Sequence, residues 1–239
     1  MSNIIELRNL IKAYNKNKVA VNNVSLEIES GVIFGFIGHN GAGKTTTIKC
    51  MVGILDYDSG EIIFDGVDIK NNQDYKKEIA YIPDNPDIYE MLTGLQYLNF
   101  ICDIYGISKD DRMNDINKYS EMFGILGNLK DMISTYSHGM KQKLAIISAL
   151  VRRPKLLILD EPFVGLDPKA AHDVKEVMKE MCDNGSSIFF STHVLEVAEK
   201  LCDKIAIIKD GKIVVCGTVE EVKGDSSLED VFLELADNE

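Results

Sequence analysis

An uninterrupted apolar run, VIFGFI at residues 32–37, opens directly onto GHNGAGKTT, residues 38–46, and a helix-forming stretch, TTTIKCMVGIL, follows. The loop fits the pattern G-x-x-x-x-G-K-[ST] at Gly38, Gly43, Lys44 and Thr45. That pattern carries meaning only in a strand–loop–helix unit, which is what its neighbours supply. A run apolar at every position suits a strand covered on both faces. Glycines let the backbone through His39, Asn40, Gly41 and Ala42 wrap an anion with its N–H groups, and the helix N-terminus beyond adds positive potential. Lys44 is placed to reach the β- and γ-phosphates of a nucleoside triphosphate. Thr45, with Thr46 after it, offers a hydroxyl to Mg²⁺. A dinucleotide-binding turn is disfavoured, because the Lys-Thr pair after the last glycine is a triphosphate feature.

Further β-rich apolar runs are IIELRNL near the N-terminus, EIIFDGVDI (61–69), IAYIPD (79–84), KLLILDE (155–161) and SIFFSTH (187–193). Helical stretches lie between them. Thr93 caps a run to Tyr105 that Gly106 ends, and Ser108 with Asp111 starts another. Asp167-Pro168 opens a long helix closed by Gly185. KIAIIKDGKIVVCG places an Asp-Gly turn between alternating apolar runs, the mark of a hairpin. Strands alternating with helices imply an α/β fold with a mostly parallel sheet. Residues 86–150 break the alternation and read as an inserted helical subdomain. The core is then expected at 1–85 and 151–222, with 223–239 as a tail whose SSLEDVFLELADNE starts on a serine cap. A chain of 239 residues, 45% hydrophobic, suits one large domain with an insertion.

Four strand ends carry chemistry. LLILDEP presents Asp160 and Glu161 at the end of a buried strand, one carboxylate for a Mg²⁺ shell and one for an attacking water. VIFGFIG ends at Gly38, IAYIPD at Asp84 and SIFFSTH at His193. In an open parallel sheet these ends share one edge, where ligands bind. There His193 is a donor to the terminal phosphate.

A second phosphate-binding terminus is written into YSHGMKQK, residues 136–143, which runs into the apolar LAIISALV. Ser137 caps this helix and Gly139 permits close approach, so free N–H groups face an anion. Phosphoryl transfer needs positive potential beyond lysine and metal, often from an arginine. The four arginines are Arg8, Arg112, Arg152 and Arg153. The last two are expected at the far end of the same helix, roughly 20 Å from its start by helical rise, on the negative end of the dipole. The chain's own loop already surrounds the phosphates from one side. The Ser137 terminus is therefore expected to close over the nucleotide of another chain, giving a head-to-tail pair with two nucleotides sandwiched between.

Composition narrows the partners. A net charge of −12 and a pI near 4.8 argue against nucleic acid, which needs a basic footprint. Five cysteines without CxxC spacing read as reduced thiols rather than a metal site. No apolar run approaches a membrane span, so the chain is expected to be soluble, with any membrane role passing through a partner.

GHNGAGKTT, YSHGMKQK, LLILDEP, VGLDP and the histidine of STH, in this order, resemble the ATP-binding cassette of ABC transporters over about residues 3–225. The tandem YSHGMKQK…DEPFVGLDP is most similar to ATPase subunits of bacterial exporters of the bacitracin, daunorubicin and Ecs-like kind. The resemblance implies a RecA-like P-loop core with an N-terminal antiparallel β part and a helical subdomain bearing the Ser137 motif. It implies ATP and Mg²⁺ as ligands. It also implies Asp160 in the metal shell, Glu161 as catalytic base, His193 as switch histidine and Asp167 as an acid at the dimer interface. Tyr14 matches the aromatic that stacks on adenine; a tyrosine at a strand end serves packing equally well. The partners implied are a separate integral-membrane permease and a second copy of the chain or a homologous ATPase. The place implied is the cytoplasmic face of the cell membrane. Two departures stand out. Asp84 replaces the family's glutamine, exchanging an amide for a full negative charge, which allows tighter metal coordination or a weaker hold on water. SHGM replaces the common S-G-G-Q, keeping the cap and the close-approach glycine. A soluble ABC protein acting on ribosomes or DNA fits less well, with one cassette, a short insertion and an acidic balance. Intact Glu161 and His193 argue against a non-hydrolytic module.

Overall fold

The computed structural model describes residues 2–15 and 18–237, the side chains of 236 and 237 excepted. Met1, Lys16, Asn17, Asn238 and Glu239, which fall within the expected spans 1–85 and 223–239, lie outside the described residues. Strands β1 (Asn3–Asn15) and β2 (Lys18–Glu29) pair antiparallel. The chain then leaves that sheet through β3 (Ile33–Ile37), buried at all five positions, which delivers the glycine-rich loop to α1 (Lys44–Met51). β4 (Ser59–Phe64) returns to β1 and turns back as β5 (Val67–Asp68). EIIFDGVDI is thus a hairpin and not one strand, because Asp65 and Gly66 both adopt positive φ.

Helix α2 (Tyr75–Glu78) leads into β6 (Ile79–Ile82). Between β6 and the next strand come α3 (Gly94–Ile104), α4 (Lys109–Met122) and α5 (His138–Leu150), with two short 3-10 turns. Each helix starts where a side-chain oxygen accepts an otherwise orphaned N–H: Thr93 for α3, Ser108 for α4 and Ser137 for α5. Then β7 (Leu156–Asp160) alternates with α6 (Pro168–Asp183), β8 (Ser187–Thr192) and α7 (Leu195–Leu201). The hairpin β9 (Lys204–Lys209) and β10 (Lys212–Thr218), with α8 (Val219–Lys223) and α9 (Leu228–Asp237), completes the chain.

The second sheet runs β10-β9-β3-β8-β7-β6, parallel except for β10. Its central strands bury both faces, and the pleat divides their side chains. Phe34, Phe36, Ile158 and Phe189 join the core beneath the β1–β4 sheet and α1. Leu157, Leu159, Ile188 and Phe190 join the core shared with α3, α5 and α6. Phe34 stacks on Phe189 at 5.8 Å between ring centres. With each such side chain contributing about 1.5–3 kcal/mol, this double burial holds the parallel strands in register. The register aligns their carboxyl ends: Ile37 beside Thr192, Asp160 beside Ser191, Ile82 beside Leu159.

The two arginines expected at the far end of α5 lie just past Leu150, where the N–H groups of Arg152 and Arg153 donate to the Ala149 and Leu150 carbonyls at 3.2 Å and 3.0 Å while their side chains turn to other partners. Arg152 sits over the Tyr105 ring at 3.7 Å and donates to the carbonyls of Lys76 and Ile79. Arg153 pairs with Asp111 and Asp115.

Candidate active site

The loop after β3 turns on glycines that the packing demands. A Cβ on Gly43 would lie 2.3 Å from the Ala20 carbonyl oxygen, and its φ of 110° is one that side chains avoid. Gly43 precedes α1 without a side-chain cap, so the first N–H groups of α1 have no side chain to satisfy them. They face the place where an anion belongs.

Lys44 is buried, 6% exposed, and a buried ammonium must be paired. Its Nζ donates to the carbonyl oxygens of Gly38 at 2.7 Å and His39 at 3.3 Å, and lies 3.5 Å from Glu161 Oε1. Thr45 Oγ1 donates to Asp160 Oδ2 at 2.7 Å, and Ser191 Oγ donates to Asp160 Oδ1. The Asp160 carboxylate, 3% exposed, is thus held by both oxygens. Ser191 also holds the next residue, since Glu161 N donates to its carbonyl at 3.2 Å and to its hydroxyl at 3.3 Å. Glu161 sits at φ 51°, left-handed for a residue with a side chain. His193 Nδ1 meets Glu161 Oε1 at 2.9 Å.

A cavity of about 400 Å³ opens over these groups. It is lined by His39, Asn40, Gly41, Gly43, Lys44, Thr45 and Thr46 of the loop and α1, by the acids Asp84, Asp160 and Glu161, and by Tyr14. Gly38 and Ala42 are buried in the turn beneath, and His193 reaches the cavity through Glu161. Tyr14 is 54% exposed, with its hydroxyl 3.2 Å from Thr46 Oγ1.

Three expected site residues stand apart from this cavity: Ser137, Gly139 and Asp167. They gather at a second place. Ser137 Oγ accepts from Met140 N at 3.2 Å. A Cβ on Gly139 would sit 3.0 Å from the Gly165 carbonyl, so the start of α5 lies against the VGLDP segment. Asp167 accepts from Lys143 Nζ at 2.8 Å and from Ala170 N at 2.9 Å, and these two bonds hold its carboxyl below the usual range. None of the four arginines lines the cavity.

Sequence reasoning missed two contributors. Ser191 is one of three hydroxyl residues in its strand, with Ser187 and Thr192, so no local signal singled it out. Tyr81, on β6, has a buried hydroxyl with no hydrogen-bond partner among the described residues. Burial, and then the charges of Asp160 and Asp84, push its ionisation well above the tyrosine range.

Comparison with known proteins agrees with this fold. The family model described as "ABC transporter" matches residues 21–164. The chain is 36% identical over 97% of its length, and 96% of the relative's, to the ABC-type transporter ATP-binding protein EcsA of Bacillus subtilis. It is 35% identical to the lantibiotic transport ATP-binding protein SrtF of Streptococcus pyogenes, over 96% of each chain. A solved structure described as an ATP-binding subunit of an ABC transporter superposes with a TM-score of 0.92 at 32% identity, covering 98% of this chain and 99% of that one.

Proposed function

The chain belongs to the ABC transporter family as one of its ATP-binding proteins, and from that premise we propose how its residues cleave ATP and what the cleavage drives. The observation that carries the reading is the meeting of Lys44, the Thr45–Asp160 pair and the Glu161–His193 pair at one sheet edge. The α1 N-terminus and Lys44 hold the phosphates, and Tyr14 stacks on the base. Glu161 takes the proton of the attacking water. Its position suits that work, because Ser191 and His193 fix both its backbone and its carboxylate. His193, when protonated, donates from Nδ1 to Glu161 and keeps Nε2–H for the terminal phosphate.

The donors fit Mg²⁺. Thr45, Asp160 and Asp84 are all oxygen ligands, and magnesium is commonly held by one or two carboxylates with substrate phosphates completing its shell. The unpartnered Tyr81 hydroxyl lies in the field of the same two acids. Thr45, Asp160 and Asp84 would hold the ion, which would supply positive charge to the phosphate oxygens.

The second cluster completes the site from another copy. The start of α5, with Ser137 and Gly139, closes over the nucleotide of a second copy or a homologous ATPase, with Asp167 at the shared face. The work passes to a separate integral-membrane permease, in keeping with the transport role in the name of SrtF, and export is the direction that the sequence resemblance implies. No helix among the described residues is long and apolar enough to cross a membrane. The proposal places the chain at the cytoplasmic face, attached through that permease. Residues 86–150 form the docking unit. A transport-independent ATPase is not favoured, since relatives matched over nearly the whole chain are named for transport.

The direct test is phosphate release from ATP with Mg²⁺. Glu161→Gln keeps nucleotide binding and slows hydrolysis by a factor on the order of 10² or more, as loss of a positioned base does. Lys44→Ala loses binding itself. Hydrolysis at the wild-type rate in Glu161→Gln removes that residue from its role.

A further inference from the structure

The C-terminal helix α9 touches the phosphate loop. The rings of Phe232 and His39 lie 4.5 Å apart between centres, inclined at 53°. The same His39 supplies, through its carbonyl, one acceptor for Lys44 Nζ at 3.3 Å and one for Ala42 N at 3.1 Å. A side chain near the chain's end thus leans on the residue whose backbone holds the phosphate-binding lysine.

The helix is anchored so that this contact is fixed in place. Leu228 is fully buried with Ile37, at the end of β3, and with Ile205 and Ile207 of β9. Its N–H donates to Glu199 of α7 at 3.4 Å, and α7 follows His193 directly. Farther along, Lys209 Nζ donates to the Leu235 carbonyl at 3.0 Å. α9 therefore rests on the strand that carries the loop and on the helix that follows His193.

We infer that α9 is a positioning element for the nucleotide site, with Phe232 as the positioning residue that braces His39. A loop built on Gly38, Gly41 and Gly43 has wide conformational freedom, and ordering it is a cost of binding. A ring held against His39 restricts that freedom before the nucleotide arrives. The brace acts on affinity and leaves the chemistry to Glu161. This inference rests on the loop being the nucleotide site.

The test separates bracing from packing, because Phe232 also lies against the apolar cluster around Leu228. Phe232→Leu keeps an apolar side chain and removes the ring; Phe232→Tyr keeps the ring. ADP affinity is measured by titration, together with the melting temperature and the steady-state split between KM and kcat. Phe232→Leu should melt near the wild type, bind ADP about three- to tenfold more weakly, and raise KM for ATP with the rate at saturation little changed. Phe232→Tyr should restore wild-type affinity. In the double variant His39→Ala with Phe232→Leu, affinity should be no lower than in His39→Ala alone. Wild-type ADP affinity in Phe232→Leu, or simple addition of the two effects in the double variant, overturns the brace. Lys44→Ala serves as the control: wild-type affinity there overturns the phosphate-loop reading and the brace with it.

Discussion

Glu161 occupies a backbone conformation that costs on the order of 1–3 kcal/mol for a residue with a side chain. The surroundings hold it there: its N–H is engaged by Ser191, and its carbonyl accepts from Val164 N at 3.2 Å. The turn aims the carboxylate back toward Lys44 instead of onward with the strand. Asp84 invites the sharpest comparison at this scale. It lines the same cavity as Asp160, where the family pattern has an amide. A full charge near a dication binds it more strongly than a dipole does. Asp84→Gln should therefore raise the Mg²⁺ concentration that gives half-maximal ATPase activity. A metal titration of phosphate release checks this, and an unchanged midpoint would place Asp84 outside the metal's reach.

Secondary-structure elements differed in how plainly the sequence announced them. Caps were easy: Thr93, Ser108, Ser137 and Asp167 each start a helix, because each oxygen finds its N–H within one turn. β2 was not recognised. Its Val24, Leu26 and Ile28 alternate properly, but Asn22-Asn23 punctuates the run, and Asn23 takes φ 58° where the register with β1 slips. A pair of asparagines reads as a turn until the neighbouring strand is seen to tolerate a bulge. The helical segment after β6, proposed above as the docking unit, exposes large apolar side chains. Tyr89, Met91, Phe100 and Ile104 are all more than 40% exposed, and Tyr89 meets Phe100 edge-on at 5.7 Å. Beside them Asn85, Asp87, Glu90, His138 and Lys141 line a cleft that reaches the start of α5. An apolar patch with a polar rim is the usual form of a protein-binding surface. Tyr89→Glu combined with Glu90→Lys should abolish binding to membranes that carry the permease while ATP binding persists. Co-sedimentation with such membranes measures it, and undiminished recruitment would move the docking surface elsewhere.

The whole molecule places the α1 start and the Ser137-capped α5 start at different sites. The α1 start lies in the cavity with Lys44, whereas the α5 start lies against the VGLDP segment, outside it. Each was legible in the sequence, because glycine and serine spacing is local information. Their separation is what the expectation of a second copy requires, and that copy remains part of the proposal. Contacts between distant parts of the chain, such as Phe232 on His39, were not, because no local pattern marks which tail residue meets which loop residue. All four arginines point to the same incompleteness: Arg8, Arg112 and Arg153 pair with acids, Arg152 packs on Tyr105, and none reaches the cavity. On the function proposed above, the remaining positive potential around the terminal phosphate is assigned to the α5 N-terminus of another chain. Complementation tests this claim most directly. Ser137→Arg and Lys44→Ala chains are each assayed alone and then mixed, with mixed dimers verified by differential tagging. Each should be inactive alone, and the mixture should regain partial ATPase activity through its one intact composite site. Mixed dimers that form and stay inactive would contradict the shared site.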